Sequence, residues 1–433
     1  MNMTMSADHT KRIHYERLPN GMDAYIIPTV TDDVVVATFA LSGGMRMSER
    51  SAPVVIMQGM LPGSTTGLNR ARVRTRIASL GANISFSVTD HHALVSVSSR
   101  AEVFVDALAI AVESISQPLF PQREFIEART HADTALVNAE EDTGLRAAIA
   151  FSQSVYRKGH PHFIKMPTVE RRELAELTRA DVARFHKDAL TTVGGYIIIA
   201  GDIPASLSRS LSSLLGSLPS THRGREPIAR LDKTAQPAHK DIIVSLADKM
   251  NVDTVLGIPL TLTRDHPDYH ALSMGVQVLG GSFSSRLFRE LRDVRNYTYG
   301  AYAGLRGMED GYPGFLSAKA IFPNDVFKPA RSAFRDVVHL WAEKGITPKE
   351  LEARKEELCG RYVVDLASTR GLMGAVHGVV RFGKPLTYLD EYPDIIRGVR
   401  VRDVNAAIQE HVRYDLAVTA AAGSIDAVGA PLG

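Results

Sequence analysis

The spacing of apolar residues changes along the chain, and each spacing predicts an element. Val34 to Leu41 reads as a strand, as does Gly195-Tyr-Ile-Ile-Ile-Ala-Gly201-Asp-Ile203. A helix is expected through Leu272, Val276 and Leu279, with Asp265 or His266 as its N-cap and Pro267 in its first turn. Gly280-Gly281 then makes a turn, and from Ser284 to Val294 the residues Leu287, Leu291 and Val294 recur at i, i+4 and i+7. That is one apolar helix face, with Arg286, Arg289, Glu290 and Arg292 elsewhere on its surface. Tyr297-Thr-Tyr-Gly-Ala-Tyr-Ala303 alternates as a strand does. Arg292 is thus expected at a helix end and Tyr299 on the returning strand, where side chains seven residues apart can converge.

An internal repeat organises these elements. Asp181 opens a helix leading to a strand that reaches Gly201, and Asp403 opens one leading to a strand that reaches Gly423; both intervals are 20 residues, at a common offset of 222. Glu127-Ala-Arg129 and Glu352-Ala-Arg354 match at an offset of 225. Between the halves, Leu218-Pro-Ser-Thr-His-Arg-Gly-Arg-Glu-Pro227 and Ala235-Gln-Pro-Ala238 read as a linker. Two domains, 1–230 and 231–433, are expected. Each half shows strands, a buried helix, a hairpin-like pair (82–98; 297–321), long helices and a final helix plus strand. This predicts an α+β fold of two homologous α/β sandwich halves, each a largely antiparallel sheet with helices on one face.

Composition narrows the function. A chain of 433 residues with 45% hydrophobic and 23% charged residues can bury large cores, and a net charge of +2 with no Lys/Arg cluster interleaved with aromatics argues against nucleic acid. One cysteine, Cys359, excludes an intrachain disulfide and any multi-cysteine metal site. The N-terminus lacks the apolar core of a signal peptide, and no apolar stretch of about twenty residues follows. The expected location is therefore cytoplasmic, or periplasmic had a leader been trimmed, with no membrane partner.

Several residue pairs imitate sites. His266 and His270 lie four apart with Asp268 between them, but no third ligand is evident and a helix start explains the segment. His160-Pro-His162 reads as a structural loop, and adjacent His91 and His92 on a strand point to opposite faces. No G-x-S-x-G elbow supports a serine nucleophile, and Gly280-Gly281 has neither a Walker lysine nor dinucleotide spacing.

Leu279-Gly-Gly-Ser-Phe-Ser-Ser-Arg-Leu-Phe-Arg-Glu-Leu-Arg292 with Tyr299 resembles the Arg/Tyr segment of the pitrilysin-like zinc peptidases, the inverzincins. Leu18-Pro-Asn-Gly-Met22, the strand from Val34 and Gly43-Gly44 resemble that family's opening strands, so the similarity covers nearly the whole chain. In the family an H-x-x-E-H helix follows, whose histidines bind zinc while the glutamate activates water. Here Val55-Ile-Met-Gln58-Gly59 stands in its place: Val55 and Gly59 replace the histidines and Gln58 the glutamate. Valine and glycine side chains have no lone pair for zinc, and an amide cannot take the proton. The segment where the family has its third ligand, His131 to Val137, contains no glutamate.

The resemblance therefore implies the zinc-free subunit of a two-chain metallopeptidase, similar to bacterial and mitochondrial processing-type enzymes and inactive alone. No cofactor is expected on this chain. Zinc is expected on a homologous H-x-x-E-H partner, in a heterodimer or dimer of heterodimers that encloses a peptide substrate. The implied catalytic residues are Arg292 and Tyr299, with Gly280, Gly281 and Ser282 shaping the substrate loop. The alternatives are a non-catalytic core-type subunit of a larger complex and an independent hydrolase using another site.

Overall fold

A computed structural model describes residues 8–29, 33–204, 207–220, 239–308 and 311–432. The first sheet contains β1 (His14–Arg17), β2 (Asp23–Pro28), β3 (Val34–Ser42), β4 (Asn83–Val88), β5 (His92–Arg100) and β6 (Thr191–Gly201), in the order β1-β2-β6-β3-β5-β4. The second contains β7 (Lys240–Ser245), β8 (Asn251–Pro259), β9 (Ala301–Arg306), β10 (Phe315–Pro323) and β11 (Val418–Gly423), in the order β7-β11-β8-β10-β9. Without β1, the two permutations are the same. In each, the outermost pair of the long side is parallel (β2 with β6, β7 with β11) and the remaining pairings are antiparallel. The expected duplicated α+β plan is what the structure shows.

The repeat can be followed to single atoms. A Cβ built on Gly201 would lie 2.2 Å from the Val34 carbonyl oxygen, and one on Gly423 would lie 2.8 Å from that of Asn251. Val34 and Asn251 are the first residues of the neighbouring strands β3 and β8, so both glycines mark the same close backbone approach. At the other end of the repeat the halves diverge. Thr178 and Asp181 form a reciprocal capping box on helix Arg179–Ala189. Arg400 stands at the equivalent cap of helix Val401–His411, and its Nε instead donates to Asp403 at 2.7 Å.

The expected boundary near residue 230 falls among residues 221–238, outside the described residues. The compact units are discontinuous: one comprises Met1–Leu136, Thr168–Ala229 and Val363–Glu391, the other Val137–Pro167, Arg230–Tyr362 and Tyr392–Gly433. In the second unit, helix Thr143–Val155 lies on β8 and β11, where Ala147, Phe151 and Val155 meet Val255, Val418, Ala420 and Ala422. A Cβ on Gly257 would stand 2.1 Å from the Phe151 ring, so the helix fits only because β8 has a glycine there. The intervening residues Leu256, Ile258, Ala417 and Ala421 belong to the core on the other face, with Trp341, Phe334 and Leu272. β11 is therefore buried along its whole length, which explains its continuous run of small apolar residues. In the first unit, helix Thr369–Arg381 packs on β6, with the Tyr196 and His377 rings 5.7 Å apart. Each sheet thus has helices on both faces where one covered face was expected, because the other half of the sequence supplies the second cover. Among the described residues, no helix is long and apolar enough to cross a membrane.

Candidate functional site

Helix Ala52–Met60 buries Val54, Ile56, Met57 and Met60, whose spacing turns Val55, Gln58 and Gly59 together toward solvent. Val55 is 42% exposed. The three positions thus share one face, as i, i+3 and i+4 residues must, but they offer a metal no donor beyond an amide. A Cβ on Gly59 would lie 3.7 Å from that of Ala128 on helix Gln122–Glu140, so this second helix runs alongside. Further along it, His131 is exposed, while Arg171 Nε donates to Asp133 Oδ1 at 2.8 Å and holds that carboxyl below its usual range. This side-chain set does not fit zinc.

The Arg/Tyr segment differs from its expected form. An α-helical turn, Arg286–Phe288, passes into a π-helical turn, Arg289–Val294. Leu287 and Leu291 are buried as expected, but Val294 is 65% exposed. A π turn takes more residues than an α turn, so position i+7 no longer returns to the apolar face; such turns frequently mark functional sites. Asn296 ends the turn in the left-handed conformation (φ 53°), which asparagine adopts more readily than most residues. Asn296 N–H donates to Arg292 O at 2.9 Å, and Tyr297 N–H to Leu291 O at 2.7 Å, so the backbone doubles back beside Leu291.

Tyr299 is not on a strand: β9 begins two residues later, at Ala301. The expected alternation fails because Thr298 is buried and spends its side chain on the backbone, its Oγ1 donating to Ile321 O at 2.6 Å and accepting from Gly300 N at 3.1 Å. On this pinned backbone Tyr299 is 92% exposed. The Arg292 guanidinium lies 4.8 Å from the centroid of the Phe288 ring, and exposed Phe283 meets Phe288 edge-on at 5.0 Å.

Gly280 and Gly281 are packing glycines. A Cβ on Gly280 would stand 2.2 Å from Ala303 N, and one on Gly281 would stand 2.0 Å from Gln277 Oε1. Gly280 therefore lets helix Tyr269–Gly280 touch β9. Ser282 Oγ accepts from Arg354 Nη1 at 2.6 Å, the same nitrogen bonds Glu357 at 2.6 Å, and Arg354 Nη2 reaches Ser284 Oγ at 3.2 Å. Arg354 is 5% exposed, and burial lowers its pKa. The sequence marked it only through the Glu-Ala-Arg repeat. A second anchor is a fork from Arg286 Nε and Nη2 to Glu350, both 2.7 Å. Burial alone would raise the Glu350 carboxyl, but the bonds from Arg286 and Thr347 outweigh it and bring its pKa to about 2.

The remaining histidines sort differently. His160 is buried and stacks on Tyr156 at 4.3 Å, while His162 Nε2 lies 3.1 Å from Pro313 O, a structural arrangement. His266 is joined not by His270 but by Asp268 and His411, the one cluster of potential ligands found among the described residues. The expected cap is also corrected: the helix starts at Tyr269 with Asp268 at its N-cap.

Comparison with known proteins agrees with this fold. The family described as the peptidase M16 inactive domain matches residues 176–358. An uncharacterized zinc protease of Mycobacterium tuberculosis is 29% identical over 253 residues, 57% of this chain and 56% of the relative, so the chain spans about half its length. A non-peptidase homolog of Helicobacter pylori is 20% identical over 317 residues, covering 72% of this chain and 70% of that protein. Among solved structures, the peptidase M16 inactive domain of Pseudomonas fluorescens superposes with a TM-score of 0.83 at 21% identity, covering 97% of this chain and all of that one. Residues 176–358 thus match the M16 inactive-domain family, and the duplicated fold is the one that the Pseudomonas fluorescens domain has.

Proposed function

We propose that this chain is the zinc-free subunit of a two-chain zinc metalloendopeptidase, contributing Arg292 and Tyr299 to a metal site held by a homologous H-x-x-E-H partner. The observation that carries this reading is Tyr299: a tyrosine 92% exposed on a backbone fixed from both sides contributes nothing to its own core. Its phenol is available to donate to the oxyanion that forms as a peptide carbonyl becomes tetrahedral. Arg292, seated on Phe288, orients that phenol or a neighbouring substrate carbonyl. Gly280, Gly281 and Ser282 hold the substrate-side loop, with Phe283 at its exposed tip. The partner supplies the metal and the base that Val55, Gln58 and Gly59 lack. Heterodimers, single or paired, enclose an unfolded peptide. The zinc-protease name of the mycobacterial relative and the inactive-domain match support this division of labour.

A scaffold subunit without catalytic duty is the second reading, favoured by the name of the Helicobacter pylori relative, a non-peptidase homolog. Co-expression with an H-x-x-E-H homologue, followed by sedimentation and peptide-cleavage assays, separates the two. The catalytic reading expects a 1:1 complex whose turnover depends on Tyr299, with neither chain active alone. A complex whose Tyr299→Phe variant cleaves normally makes the chain a scaffold.

A further inference from the structure

Asp268 occupies the N-cap of helix Tyr269–Gly280 yet makes no capping bond. An aspartate there ordinarily accepts from an N–H of the first turn, a stabilising contact of about 1 kcal/mol. Here its carboxylate turns elsewhere: Oδ2 is 3.0 Å from His411 Nε2 and 3.8 Å from His266 Nδ1. One ligand atom from each of the three residues lies within 4.8 Å of the others. His411 is the last residue of helix Val401–His411, is 6% exposed, and keeps a buried Nδ1 without a hydrogen-bond partner. His266 and Asp268 are half-exposed, so the cluster opens to water on one side.

We propose that His266, Asp268 and His411 bind one divalent metal ion of the zinc class, at a site unrelated to helix Ala52–Met60 and independent of the peptidase reading. Two imidazoles and a carboxylate are a borderline N/O donor set that suits zinc, cobalt or nickel and disfavours magnesium and calcium. Bonds of about 2 Å put neighbouring ligand atoms roughly 3 Å apart, which the His411–Asp268 pair already satisfies. His266 Nδ1 accepts a hydrogen bond from Asp268 N at 3.1 Å, so the nitrogen facing the carboxylate carries a lone pair. That bond lies at a partly exposed ring, and the ion replaces it after a small rotation of His266. The C-terminal end of helix Val401–His411 favours positive charge beside His411. Water completes the coordination from the open side. On binding, His411 Nε2 frees its lone pair for the ion by passing the proton that it donates to Asp268 over to Nδ1, so the ring ligates as neutral imidazole.

The test uses the full chain stripped with chelator, titrated with Zn²⁺ by calorimetry and with Co²⁺ by visible absorbance. One equivalent per chain is expected, with no response to Mg²⁺. His266→Ala, at an exposed position, and Asp268→Asn should each weaken Zn²⁺ binding at least about 10-fold, since losing even an outer-shell partner costs about that much. Gln58→Ala should change nothing. Thermal melts without metal check that each variant folds. Absence of stoichiometric uptake, or uptake of equal affinity in His266→Ala and Asp268→Asn, overturns the site and leaves a His–Asp hydrogen bond. Neither result bears on Tyr299, whose role is read from turnover of the two-chain complex.

Discussion

Helix Ala52–Met60 beside the first sheet and the Arg286–Val294 turn beside the second each bury one apolar face and expose the other. The first exposes Val55, Gln58 and Gly59; the second exposes Arg292, followed by Tyr299 on the return. Beneath both lies the same strand permutation. The contrast teaches that the duplicated core is indifferent to the chemistry above it. Apolar contacts maintain the fold, while a handful of outward residues decide whether a site can act.

The sharpest way to break this comparison is Tyr299→Phe or Arg292→Ala in the proposed two-chain enzyme. Turnover should fall roughly 10²-fold or more, about 3 kcal/mol in barrier, with KM little changed, because the contact strengthens as the carbonyl becomes tetrahedral. Steady-state kinetics decides this, with melts to exclude misfolding. Near-normal kcat in both variants would falsify the catalytic assignment.

Next in size is Gly280→Ala, which drives a methyl group to within 2.2 Å of Ala303 N, a backbone atom that cannot swing aside. Destabilisation of about 1–3 kcal/mol is expected. Gly378→Ala, in helix Thr369–Arg381 with nothing within 4 Å of the new Cβ, should instead be neutral or stabilise by up to about 1 kcal/mol. Denaturant melts that rank the pair in the opposite order would refute the close helix–strand contact at β9.

A smaller effect separates the ion-paired support of the Arg286–Val294 turn from its apolar support. Glu350 has a folded pKa of about 2 against an ordinary 4.5, so it binds protons more readily when unfolded. Its contribution is present above pH 4.5 and is lost as pH falls from there through 2. With solvent screening of a partly exposed pair, the loss is about 1 kcal/mol. Glu350→Gln should remove that part of the acid sensitivity while leaving the remainder. Parallel pH–stability curves for the two proteins would show that the fork has no energetic role.

The smallest expected effect is none. Val55→Ala and Gln58→Ala should leave the zinc content of the isolated chain unchanged, measured by elemental analysis, because neither side chain supplies a metal ligand. Zinc lost from either variant would place a metal on helix Ala52–Met60 and erase the contrast between the two halves.

Periodicity alone determined much of the fold. The strand from Val34, the two hairpins, the helix through Leu272 and Leu279, and the helix-plus-strand repeat ending at Gly201 and Gly423 follow from local spacing, because an apolar stripe on a helix and an apolar run in a strand are each set by local burial. The sequence also showed which residues cannot bind zinc, since that is a property of the side chains. Tertiary structure decided what local spacing cannot carry. The π turn moved Val294 outward, because the chain must double back to place Thr298 under Ile321. Helices Thr143–Val155 and Thr369–Arg381 cover sheets belonging to the opposite halves of the sequence, where burial depends on partners far along the chain. His411 meets Asp268 across 143 residues, and Arg354 reaches Ser282 across 72. Contacts at that separation leave no periodic trace, because what brings them together is the closing of the core beneath them.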